Sequence, residues 1–294
     1  MRSTSRFGAR HVPEGHRVLE VGTGTGYNAA LLCHRLGAER VTSIDLDTSL
    51  VERARQRLAH LGYAPHLAAT DGALGAPRFA PFDRIIATVA FDRVPGAWIA
   101  QTVPGAKILM PVDLTGRAGL LVLLTTDGTG LAQGHFLSHQ GWFMATRANP
   151  DAQPLLGKAL DDKTGSTRET ALPVTVAANA QEPFEFFAAL LTGGYAWLEF
   201  TPSDGGPRQT VLAHRDGSWV NHTATGGDQA PCTVRQGGPR LLWDEIERLH
   251  EQWTELGRPV RERFGLTVAG GEHVLWLDDP QGPHRWTLPV SVLE

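Results

Sequence analysis

The ten residues Val18 to Tyr27, VLEVGTGTGY, constrain this chain more than any other stretch of it. An apolar run ends at Glu20-Val21 and gives way to Gly22, Gly24 and Gly26 at alternate positions. Glycine takes positive φ and carries no side chain, so the backbone turns sharply there and a ligand can approach it closely. A helix is expected to open near Tyr27. Its free N–H groups and its dipole favour a carboxylate or another electron-rich group. Strand, glycine turn and helix in this order describe the start of a parallel βαβ unit.

Two further acids close apolar runs. Asp45 ends the expected second strand, Val41-Thr42-Ser43-Ile44, nineteen residues past Gly26, and Asp71-Gly72 close a third around His66 to Thr70. An acid placed like Asp45 accepts hydrogen bonds from both hydroxyls of a ribose. Asp71 is positioned to accept from an exocyclic adenine amine, and Glu20 to meet a cationic amine. Together they describe a pocket for a nucleoside with a short charged tail, and S-adenosylmethionine fits it. Glu20, Gly22, Gly24 and Gly26 are assigned to the methionine end, Asp45 to the ribose, Asp71 with Gly72 to the adenine. The glycine turn alone fits two other readings, dinucleotide binding and simple tight-turn glycines. Dinucleotide folds usually space their glycines as GxGxxG, whereas the third glycine here falls one residue earlier.

Residues 16–112 resemble the protein-L-isoaspartate O-methyltransferase family. VLEVGTGTGY resembles its first motif and VTSID its second acidic strand. DGALGAP, APFDRIIATVAFDRVP and ILMPV resemble its later strands and the loop that closes over the substrate. The resemblance implies an α/β fold, a Rossmann-like doubly wound sheet of the class I methyltransferase type. It implies S-adenosylmethionine as methyl donor and methylation of an isoaspartyl α-carboxylate in a damaged protein, an ester that then expels itself as a succinimide. Thr88, Val89 and Ala90 would line the substrate mouth, and Val94-Pro95 would shape the loop.

In that family a hydroxyl in a Ser/Thr-rich stretch ahead of the first motif lies beside the substrate carboxylate. Ser3, Thr4 and Ser5 stand in that place here, with Arg6-Phe7 where a proline is expected and with about a helix fewer residues before the strand. An alternative therefore stays open: a non-catalytic cofactor-binding or peptide-recruiting protein that has lost this catalytic segment. Downstream, GGPRLLWDEIERLHEQW and VLWLDDP resemble an extension seen in a branch from actinobacterial peptide maturation. That branch implies a peptide partner methylated on an aspartyl carboxylate.

Composition narrows the classes further. A net charge of −4 over 294 residues, with no long basic run, gives no electrostatic case for nucleic acid. The longest apolar runs fall short of the roughly 18–20 residues of a membrane span. With no charged-then-apolar leader at the start, a cytoplasmic location is expected. Cys33 and Cys232 read as reduced thiols without CxxC spacing, and the twelve histidines are scattered along the chain, so no metal site is expected. A carboxylate nucleophile is already ionised at neutral pH, so no catalytic triad is expected either.

Along the chain, short apolar runs alternate with helical patterns up to Val112. A helix is predicted over Thr48 to Leu61, with Thr48 as N-cap and Gly62 ending it. Further strands are predicted near Arg84–Thr88 and Lys107–Val112. Gly119–Thr125 and Leu131–Leu137 flank Asp127-Gly128, a hairpin signal that adds an antiparallel edge to the parallel sheet. The expected division is a methyltransferase domain over 1–147, a linker over 148–172, and a C-terminal α+β domain over 173–294 that holds a peptide substrate. In that last part strands are predicted at Val174–Ala177, Ala196–Phe200, Gln209–His214 and Ser218–His222, and helices near Pro183–Leu191 and Pro239–Leu256. A final hairpin pairs Val274–Leu277 with Arg285–Leu288. Trp197, Trp219, Trp243, Trp253, Trp276 and Trp286 lie there and are read as packing, since large aromatics carry much buried area.

Overall fold

The computed structural model describes residues 12–113, 119–141, 143–145, 153–162, 164–179, 182–224 and 232–289. The chain divides into two compact units. The first takes Met1–Asp113, Gly119–Thr146 and Glu262–Thr287, and the second is built mainly from Arg147–Arg261.

The first unit is an α/β unit around a ten-stranded mixed sheet. β1 (Val18–Val21), β2 (Val41–Asp45), β3 (His66–Ala69), β4 (Phe82–Ala87) and β5 (Thr102–Val112) form its parallel half, in the order β3-β2-β1-β4-β5. β1 is buried throughout and β2 over its first four residues, which is why both read as continuous apolar runs rather than alternating ones. The chain builds outward from β1 to β3, then returns to place β4 on the other side of β1. That reversal is the switch point at which open α/β sheets bind ligands beyond the carboxyl ends of their strands. The antiparallel half continues from β5 through β6 (Leu120–Thr126) and β7 (Leu131–Gln140).

Two helices cover the parallel strands. α1 (Tyr27–Leu36) buries Ala29, Leu32, Cys33 and Leu36, positions at helical spacing. Leu32, Cys33 and Leu36 pack with Val18, Val41 and Ile86 in one apolar cluster. α2 (Thr48–His60) buries Val51, Ala54 and Leu58. Its N-cap is Asp47, one residue before the predicted Thr48. The Asp47 carboxylate accepts from the N–H groups of Ser49 and Leu50, and an ionised acceptor at a helix start also meets the dipole.

The second unit centres on a five-stranded antiparallel sheet ordered β8 (Ser166–Thr170), β12 (Cys232–Gly237), β11 (Trp219–Thr223), β10 (Gln209–Ala213), β9 (Ala196–Phe200). A helix at Gln153–Asp161, α4 when α3 is Gly96–Ala100 of the first unit, lays Leu156 and Ala159 on Ala196, Val211, Ala213 and Trp219. α5 (Pro183–Thr192) packs against α6 (Leu242–Glu255), with Phe184 meeting the rings of His250 and Trp253. Trp219, Trp243 and Trp253 are buried, in keeping with a packing role.

Three expectations change. The stretch 148–172 contains α4 and β8 rather than a bare linker, because its polar residues are the outward positions of an amphipathic helix and of an edge strand. The strand predicted at Val174–Ala177 is a single 3₁₀ turn at Val174–Val176. Pro173 before it brings no N–H, and local carbonyls take the bonds a partner strand would have taken. Finally, the block 173–294 does not stay together. β13 (Phe264–Ala269), β14 (Glu272–Leu277) and β15 (Arg285–Thr287) extend the first unit's sheet, β13 pairing antiparallel with β7 from Gly265↔His135 to Ala269↔Leu131.

Candidate functional site

The carboxyl ends of the parallel strands are level with one another. Val21 pairs with Ile44 on one side and Ala87 on the other, and Asp45 pairs with Ala69. The residues that follow, Gly22, Leu46, Asp71 and Thr88, therefore rim one edge of the sheet.

The glycine turn closes on this rim. Gly22 has φ +101°, and a Cβ there would meet Thr88 Oγ1 at 2.7 Å, so position 22 accepts only glycine. Thr88 uses the space: its hydroxyl donates to the Gly22 carbonyl at 2.7 Å and its N–H to Val21 at 2.8 Å. Gly26 is the N-cap of α1, and the Cβ side of Gly24 faces open space. One oxygen of Asp45 accepts from the Gly24 N–H at 2.9 Å and the other from the Asp47 N–H at 3.1 Å. Asp45 is half-buried, so its carboxylate joins β2 to the turn while keeping an outward edge.

Glu20 lies beneath the turn. It is fully buried, and its two oxygens accept from Asn28 Nδ2 at 2.7 Å and Ser43 Oγ at 2.5 Å. Ser43 is in turn bonded to Thr23 at 2.7 Å. Burial pushes the Glu20 carboxyl up to about 7. Its two donors pull the other way and Asp45 adds to the rise. Glu20 thus acts on the rim through Asn28, Ser43 and Thr23, residues that the sequence did not single out.

The third corner is Asp71-Gly72. Asp71 is exposed and accepts from the Ala73 N–H at 2.9 Å, capping a 3₁₀ turn at Gly72–Leu74. A Cβ on Gly72 would lie 2.7 Å from Val21 Cγ1 and 3.1 Å from Phe91. Trp98 Nε1 donates to the Gly72 carbonyl at 2.8 Å, and the Trp98 ring meets Phe91 edge-on at 5.0 Å.

Apolar side chains stand exposed on the same rim. Tyr27, Leu46 and Leu74 are each more than half exposed. The readable signal for the two leucines was an apolar residue just after each acid at a strand end, Asp45-Leu46 and Asp71-Gly72-Ala73-Leu74.

The segment 88–95 runs from the rim. Thr88 and Val89 are half-buried, whereas Ala90 and Val94 are buried and so shape the segment rather than face outward. Ala90 N–H donates to the Met144 carbonyl at 2.9 Å, Phe91 bonds to Pro111 and Asp113, and Val94 N–H donates to His273 Nε2 at 3.1 Å. Pro95 caps α3. Ser3, Thr4 and Ser5 lie outside the described residues. Nothing in the sequence pointed to His273, which stands 179 positions from Val94.

A glycine turn, two carboxylates and apolar side chains at the switch point of a Rossmann-like sheet make this rim the candidate ligand site of an α/β domain. Residues 9–136 match the model of the family described as protein-L-isoaspartate(D-aspartate) O-methyltransferase. The chain is 52% identical over 121 residues to a protein-L-isoaspartate O-methyltransferase of Anaeromyxobacter dehalogenans, covering 40% of this chain and 57% of that one. It is 42% identical over 122 residues to protein-L-isoaspartate O-methyltransferase 2 of Anaeromyxobacter sp., covering 41% and 49%. The chain thus spans about half the length of these curated relatives. Among solved structures, a protein-L-isoaspartate O-methyltransferase aligns over 87% of this chain and 73% of its own, with 26% identity and a TM-score of 0.49.

Proposed function

We propose that this chain is an S-adenosylmethionine-dependent carboxyl O-methyltransferase acting on an isoaspartyl or aspartyl carboxylate of a protein or peptide. The observation that carries the reading is the shared rim of Gly24, Asp45 and Asp71, within residues that match the methyltransferase family. The rim fits the cofactor. Gly24 faces open space, the Asp45 edge offers acceptors to a sugar diol, and Leu46 and Leu74 offer apolar surface to a flat base. Bound there, S-adenosylmethionine supplies an electrophilic methyl group on sulfur.

The protein's own part is positioning. Asp45 holds the Gly24 amide and takes the ribose, and the amides opening α1 face the methionine carboxylate. Thr88 ties the end of β4, where the substrate segment begins, to the glycine turn. Of the residues assigned to line or shape the substrate mouth, Val89 and Pro95 keep outward surface beside Thr88. An ionised carboxylate needs no base, so catalysis rests on alignment and on stripping water from the attacking oxygen. Ser3, Thr4 and Ser5 are proposed to orient that carboxylate.

The second unit is proposed to hold the peptide. Support comes from an open cavity of about 510 Å³ on its sheet, where Arg235, Asn221 and Gln209 lie beside Phe200, Pro202 and Leu160. These offer a cation, amides and an apolar wall to one segment of chain.

The test is incubation with S-adenosylmethionine and either an isoaspartyl peptide or an ordinary aspartyl macrocycle, read by mass spectrometry. Gain of one methylene on either peptide, reversed by mild base, is the expected result. Cofactor binding with no methylated product from either would favour the non-catalytic alternative.

A further inference from the structure

Three N–H groups along the segment 88–95 donate to backbone carbonyls. Thr88 N–H donates to Val21, Ala90 N–H to Met144 and Phe91 N–H to Pro111. Val94 is different: its N–H is taken by a side chain, His273 Nε2, at 3.1 Å. His273 stands at the start of β14 and is 6% exposed. Its other ring nitrogen, Nδ1, lies 3.3 Å from the Gly271 carbonyl.

These two contacts fix the ring's state. A carbonyl only accepts, so Nδ1 carries the proton. A backbone N–H only donates, so Nε2 is bare. The imidazole must therefore be neutral, in one tautomer. Its surroundings hold it there: burial lowers its pKa from the ordinary value and the Arg93 cation adds to this, while the Gly271 carbonyl and the Asp92 carboxylate oppose. Arg93 and Asp92 both come from the segment itself, and β13 presents Val268 opposite. A second proton on the ring would leave two N–H groups facing each other across the Val94 contact.

β14 and its neighbours lie outside residues 9–136, so this fastening comes from sheet strands added beyond the matched region. We propose that His273 is a positioning residue for methyl transfer, which as a neutral acceptor holds the Val94 end of the substrate-facing segment, and that protonating it releases that end. The proposal rests on the reading of 88–95 as substrate-facing.

Two variants of the full chain test it. In His273→Gln the amide oxygen can accept from Val94 N–H at any pH, whereas His273→Leu fills the space without an acceptor. Amide exchange over 88–95, followed by mass spectrometry on the ligand-free protein, should rise about tenfold in the leucine variant and stay near wild type in the glutamine variant. With peptide and S-adenosylmethionine, the leucine variant should raise KM for the peptide about fivefold or more, with kcat and KM for the cofactor little changed. The wild-type KM for peptide should climb only as pH falls below about 6.5, the ordinary histidine value from which burial lowers this ring, and that climb should vanish in His273→Gln.

The proposal is overturned if the glutamine variant follows the leucine variant in exchange and KM, or keeps the wild-type acid limb. Methylation that proceeds while exchange ignores residue 273 also overturns it, and leaves the proposed function standing. The converse result, exchange that follows the acceptor while no peptide is methylated by any of the three proteins, refutes the function and the catalytic role together.

Discussion

Two carboxylates a few residues from the same turn have opposite surroundings, and their variants should differ accordingly. Asp45 is half-buried on the rim and accepts backbone N–H groups from Gly24 and Asp47. Asp45→Ala removes charge-assisted bonds worth roughly 1.5–3 kcal/mol, so titration calorimetry should show at least about tenfold weaker S-adenosylmethionine binding. Unchanged affinity would remove Asp45 from the ribose. Glu20 is sealed beneath the turn with its carboxyl raised to about 7. A carboxyl that binds its proton more tightly folded than unfolded stabilises the fold in acid, and that stability is lost as pH rises through the folded value. Between about pH 5 and about pH 8 the wild type should therefore lose up to about 3 kcal/mol relative to Glu20→Gln, measured by denaturant unfolding at each pH. A difference independent of pH would mean that Glu20 is ionised throughout. Both acids were legible in the sequence because each ends an apolar run. What the sequence hid was depth: VLEV and VTSID both show an acid at a strand end, and only packing tells which one water reaches.

Element boundaries followed the same division between local and distant causes. α2 was legible from Val51, Ala54 and Leu58 at helical spacing, but Asp47 and Thr48 are both good caps by type, and the backbone decided between them. Asp47→Ala should cost about 1 kcal/mol and Thr48→Ala much less, a contrast that thermal melts can check. Equal losses would mean the capping bonds to Ser49 and Leu50 do not carry the start of the helix. The Asp127-Gly128 hairpin was also legible, because its chemistry is local. The Asp127 carboxylate accepts from the N–H groups of Thr129 and Leu131, at 2.7 and 3.1 Å, and closes the turn itself. β8 was not legible. STRET reads as polar loop, and only pairing with β12, from Cys232↔Thr170 to Gln236↔Ser166, makes it an edge strand.

At the scale of the whole chain, contiguity was the misleading guide. Residues 262–287 follow the second unit in sequence yet complete the first unit's sheet, and no periodicity in FGLTVA reveals that its partner is β7. Trp276 shows how firmly they are held. It is 2% exposed, stacks edge-on to His135 of β7 at 4.7 Å, and donates through Nε1 to Thr267 at 3.0 Å. Gly265 makes room for it, since a Cβ there would sit 2.0 Å from the Trp276 ring. Trp243 is as deeply placed in the second unit, its Nε1 shared between Thr170 and Glu247. Truncating either to alanine should cost about 3–5 kcal/mol. The two losses should fall in different places. S-adenosylhomocysteine, proposed to bind the rim of the first unit, should raise the melting of the unit that holds it. In scanning calorimetry Trp276→Ala should lower the component that this ligand raises, and Trp243→Ala the other. If Trp276→Ala instead lowers the ligand-insensitive component, β13–β15 melt with the second unit, and the contiguous division at residue 173 describes the chain better than its strand pairing does.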